Sequence, residues 1–83
     1  MLDEDIVVRL KSHGDAIPLV EALRLVADYG GDAMTQFRAI ACLKQAFPHF
    51  PLGVLIEAST SKHIIGEGGL TDLEVSQLLR PPV

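Results

Sequence analysis

The sequence predicts an all-α fold, a compact bundle of four to five short helices arranged around a central third helix. Three observations predict it. Glycine and proline cut the chain into helix-sized pieces, apolar residues recur at helical spacing within those pieces, and one segment carries a complete capping box. No internal repeat, low-complexity tract or linker divides the 83 residues, so they read as one domain, 1–83.

The first helix is expected from about Asp3 to Lys11, with Leu2, Ile6, Val7 and Leu10 on one face and Gly14 as its stop. Asp3, Glu4 and Asp5 in its first turn favour the positive end of the helix dipole. The second runs over about 18–29, where Leu19, Val20, Leu23, Val26 and Ala27 form a stripe. Pro18 is tolerated in a first turn, and Gly30–Gly31 supply the C-terminal stop.

Asp32 is the expected N-cap of the third and longest helix, 33–47. Its wheel assigns Met34, Phe37, Ile40, Leu43 and Phe47 to a large apolar side. Thr35, Ala39, Cys42 and Ala46 form a small-residue side that lets another helix approach. Lys44 falls inside the large stripe, but in the last turn a cation suits the dipole and reaches water along its stem.

"FPHFP" (Phe47 to Pro51) breaks that helix; a rigid corner with Phe47 and Phe50 capping the core is preferred over an exposed recognition knob of His49 and Phe50. Pro51 suits the first turn of a fourth, carrying Leu52, Leu55, Ile56 and Ser59; a short strand over 52–58 has no evident partner, so helix is preferred. "STSKH" is expected to fray into the connection before Gly66. The last helix has the clearest local signature. Thr71 and Glu74 form the T-x-x-E box, and Leu70 staples onto Val75. Val75, Leu78 and Leu79 face inward, Leu73 points away, and Pro81–Pro82 ends the helix.

Composition then narrows the function. A chain this short hides only about 60–65% of its unfolded surface, yet apolar residues are 48% of it and mean hydropathy is +0.31. Some apolar side chains must therefore stay exposed, and such patches mark contact surfaces. The net charge of −4 repels phosphate backbones and favours basic partners. One cysteine excludes an internal disulfide and a cysteine zinc cluster. No apolar run approaches a bilayer span, and the N-terminus opens acidic rather than as a secretory signal, so a cytoplasmic location is expected.

The candidate chemistry is thin. Gly66, Gly68 and Gly69 suggest a phosphate cradle, but a dinucleotide fingerprint needs glycine where Thr71 stands, no G-K-[ST] follows, and Glu67 opposes an anion. Cys42 lies mid-helix among alanines, which describes a packed, inert thiol. His13, His49 and His63 sit on three separate connections without ligand spacing. No catalytic, cofactor-binding or metal residue is assigned, and no cofactor or small-molecule substrate is expected.

Two binding readings remain. The preferred one is a non-enzymatic, acidic protein–protein interaction module, with a protein partner or a second copy as its target and Phe47, His49, Phe50 and Leu73 as candidate interface residues. A toxin-neutralising immunity protein, an adaptor or a regulator fits that character. The alternative is a helix-turn-helix regulator using 18–29 and 33–47, with Thr35, Gln36 and Arg38 offered to DNA. Against it, the basic residues are few and scattered, and Asp28 and Asp32 flank the groove-facing end.

Overall fold

The first helix, α1, spans Asp3–Lys11 in a computed structural model that describes residues 3–14 and 16–78. Acidic residues open it, Arg9 and Lys11 close it, and Ile6, Val7 and Leu10 are buried. Gly14, at φ +82°, turns the chain away. Pro18 caps α2 (Leu19–Gly30) from an extended conformation, one position earlier than its expected place inside the first turn. Leu19, Ala22, Leu23 and Val26 form its buried face.

The connection to α3 differs from expectation. Gly31, at φ +57°, donates its N–H to the Ala27 carbonyl, and Gly31–Ala33 forms a single 3₁₀ turn. Asp32 therefore lies inside that turn and caps nothing. The N-cap is Thr35, whose hydroxyl accepts from the Arg38 N–H, and α3 runs Gln36–Ala46. Gly30 is required here for a packing reason: a Cβ on it would collide with the side chain of Met34, which is buried.

α3 is central, touching α1, α2, α4 (Leu52–Ala58) and α5 (Lys62–Ile65). Its buried face is nevertheless not the large-residue stripe. Ala39, Cys42, Leu43 and Ala46 are buried, while Phe37 is 83% exposed. Residues spaced by three retreat about 60° per step around a helix, so Met34, Phe37, Ile40 and Leu43 wind about its axis. Spacings of three and four from Ala39 hold one face, and Phe37 lies on the opposite one. The small side chains let α1 and α2 approach closely.

The "FPHFP" corner is pinned from below. Lys44 Nζ donates to the carbonyl oxygens of Pro48 and Phe50, both at 3.0 Å. The lysine thus closes the corner as well as finding a polar environment. Phe47 and Phe50 pack edge to face at 5.8 Å between centroids, and both are buried. Pro51 then caps α4, and 52–58 is helical, as preferred over a strand. α4 buries Leu55 and Ala58; Ser59, just beyond it, is also buried, and its hydroxyl is satisfied by the Ile56 carbonyl at 2.6 Å. Leu52 and Ile56, expected inward, are half exposed.

"STSKH" does not fray. Ser61 is buried and caps the single turn α5, its hydroxyl accepting from the His63 N–H. The chain then passes through the glycine loop and returns beside its own start. Leu70 N–H donates to the Thr60 carbonyl at 2.8 Å, and Lys62 N–H to the Leu70 carbonyl at 2.9 Å, which makes a one-residue parallel bridge between Ser61 and Leu70.

α6 (Asp72–Gln77) follows with both halves of its capping box formed between Thr71 and Glu74. Val75 is fully buried and Leu70 half buried against the same core. The helix gives way to a turn at Leu78, earlier than expected; Leu2, Leu79 and Pro81–Pro82 lie outside the described residues. Six α-helices result among the described residues, four of them of seven residues or more. The radius of gyration is 11.7 Å, as a compact chain of this length requires.

Candidate protein-interaction surface

Among the described residues six large apolar side chains are exposed: Val8, Phe37, Leu52, Ile56, Ile65 and Leu73. Phe37 is the extreme case at 83%. Its position follows from the local fold. Thr35 starts α3 and fixes the helix phase, and the Ala39–Cys42–Leu43–Ala46 face turns inward, so Phe37 must project outward.

Arg38, next to it, is held on two sides. Its Nε and one terminal nitrogen donate to Asp3 Oδ1 at 3.0 and 2.6 Å, and the other terminal nitrogen donates to the Ala33 carbonyl at 2.8 Å. These bonds draw the first turn of α1 and the 3₁₀ turn to the same end of the molecule as Phe37. Glu4, Asp5 and Asp32 are exposed, while Arg38 is committed to Asp3.

The residues singled out for DNA contact are placed accordingly. Thr35 spends its hydroxyl on the helix cap and Arg38 its guanidinium on Asp3 and Ala33, which leaves Gln36 exposed at the surface. Of the candidate interface set, Phe47 and Phe50 are core residues, as the rigid-corner reading expects, and this corrects their place among the interface candidates: the corner closes inward, with Lys44 bonded to its carbonyls. His49 is exposed, its ring 4.5 Å from that of Phe50, and Leu73 is 65% exposed on α6. Phe37, the largest exposed apolar group, was assigned to the core by the three-residue stripe. The stronger signal was Ala39, Cys42, Leu43 and Ala46.

A second feature lies between α4 and α6. Ile56, Leu70 and Leu78 provide the apolar lining of a groove of about 540 Å³, with Glu57, Thr60, Glu74 and Gln77 completing its walls. Glu74 is engaged in its helix cap; among the described residues Glu57 belongs to no ion pair.

The glycine loop has a different character. Gly66 and Gly68 take φ +85° and +89°, and Gly69 packs directly on the backbone of Ser61 and Lys62. His63 Nε2 meets Asp72 Oδ1 at 2.7 Å, tying the loop's entry to the start of α6. Sequence spacing gave no sign of this pair, because nine residues and a loop separate its members. The bonds and the close packing account for all three glycines as structural.

Cys42 is buried, and burial, followed by the nearby Asp3 charge, pushes its thiol up from the ordinary value despite the opposing effect of Arg38. Among the described residues no three of His, Cys, Asp and Glu gather as a metal-ligand set, and no helix is long and apolar enough to cross a membrane. Comparison with protein-family models, with curated proteins and with solved structures finds no match in any of the three.

Proposed function

We propose that this chain is a non-enzymatic protein–protein interaction module that binds a basic protein partner through the surface around Phe37. The observation that carries the reading is the 83% exposure of Phe37, next in sequence to Arg38, whose guanidinium is paired with Asp3. A phenylalanine so placed adds nothing to the core, and aromatic anchors ringed by polar residues characterise binding hot spots. The charge of the chain sets the sign of the partner: a net charge of −4 repels a second copy and steers a positively charged surface toward it.

A toxin-neutralising immunity protein, an adaptor or a regulator would use such a surface. A basic nuclease toxin is one partner with the required charge. The DNA-binding alternative loses support because Thr35 and Arg38 are engaged within the fold and the neighbouring charge is negative.

The test places a photo-crosslinking benzoylphenylalanine at position 37, in the cell that makes the protein, with Lys11 as an exposed control position. The expected result is one discrete adduct from position 37 alone, whose captured protein is basic and binds the purified chain in a salt-sensitive manner. An adduct of twice the chain mass would assign the surface to a homodimer. No position-specific adduct, or the same adducts from Lys11, would overturn the reading.

A further inference from the structure

The groove between α4 and α6 uses residues separate from the Phe37 end. It rests on the same reading of the chain as a protein-binding module. Its floor is apolar, from Ile56, Leu70 and Leu78, and two carboxylates, Glu57 and Glu74, stand in its walls. We infer that this groove docks a short amphipathic helix with basic flanks, contributed by a protein partner.

The chemistry selects this occupant. An extended peptide would need a free strand edge to supply backbone hydrogen bonds. The described residues contain no strand, and the Ser61–Leu70 bridge is flanked by its own loop. A helix satisfies its own backbone and needs only an apolar trough, which it fills with side chains spaced i, i+3 or i+4, and i+7. On α4 the groove is lined by Ile56 and Glu57 and on α6 by Glu74 and Gln77, about one turn of each, so the trough accepts a short stretch of helix. The two wall carboxylates pair with Lys or Arg beside those anchors and disfavour an anionic ligand such as a fatty acid.

Ile56 is half exposed, so changing it alters the groove with little effect on folding. Glutamine at position 74 keeps the capping geometry while removing the charge.

The experiment selects phage-displayed random 16-residue peptides on the full chain, with counter-selection on an Ile56→Asp variant whose helicity by circular dichroism matches wild type. The expected survivors carry apolar residues at helical spacing with Lys or Arg beside them. A synthetic survivor should bind about tenfold or more weakly to Glu57→Gln/Glu74→Gln at low salt, and no more weakly to Phe37→Ser. Survivors that are acidic or uncharged, survivors insensitive to Ile56→Asp, or no enrichment would overturn the inference. So would self-association of the chain that Ile56→Asp abolishes, which would make a second copy the occupant. Loss of binding in Phe37→Ser but not in Ile56→Asp would overturn the groove while preserving the Phe37 surface.

Discussion

A Cβ added to Gly69 would stand 2.6 Å from the amide nitrogen of Lys62. That nitrogen donates to the Leu70 carbonyl across the loop, so the backbone it belongs to cannot step aside without breaking the bridge. Gly69→Ala should therefore cost about 2–3 kcal/mol, the upper range for overpacking. Gly66→Ala meets no neighbour but must hold φ +85° with ψ −146°, a region nearly confined to glycine, which costs about 1–3 kcal/mol. Urea unfolding of the two variants checks both values.

Arg38 ties Asp3 to the turn before α3, and the pair is partly exposed. Solvent screening reduces its worth, so a double-mutant cycle with Arg38→Ala and Asp3→Asn should give about 0.5–1 kcal/mol of coupling at low salt and less at high salt. Since Arg38 is occupied within the fold, the wild-type chain should not retard a DNA duplex even at low ionic strength.

Lys44 closes the Phe47–Pro51 corner through the Pro48 and Phe50 carbonyls. Lys44→Met keeps an apolar stem but leaves those oxygens without their donor. The expected loss is about 1–3 kcal/mol, read as a shift in the urea midpoint. Lys44→Arg restores a donor and should recover part of it.

Cys42 is buried with its pKa raised above 9.0. A raised folded value means the folded state holds the proton more tightly than the unfolded state. The corresponding stability is fully present below pH 9.0 and is lost as pH rises from there through the folded value. The stability difference between wild type and Cys42→Ala should stay constant up to that pH and shrink above it. Native thiol labelling should be slow, at the rate of local opening, and become fast in urea.

The parts of the fold legible in the sequence are those governed by local rules. The α1 bounds, the Gly14 stop, the Thr71–Glu74 box and the helical 52–58 segment depend on residues within a turn or two of one another. What escaped depends on helix phase and on distance in space. The three-residue run from Met34 to Leu43 imitated a buried stripe, but Thr35 rather than Asp32 starts α3, and the small residues pack inward. Reversing that face exposed Phe37 and so changed which residue defines the candidate surface. The Lys44 bonds to the corner carbonyls depend on the chain's course beyond the helix, and the order of residues 59–70 follows from a loop closing on its own beginning.

The role proposed for Phe37 is binding rather than folding. Removing an 83% exposed ring should change stability by no more than about 0.5 kcal/mol. The decisive measurement is the affinity of the protein captured from position 37 for wild type and for Phe37→Ser, each at low and at physiological ionic strength. Phe37→Ser should bind at least about tenfold more weakly, and weaker again with added salt, at unchanged fold stability. Equal affinity for the two chains, or binding indifferent to salt, would contradict it.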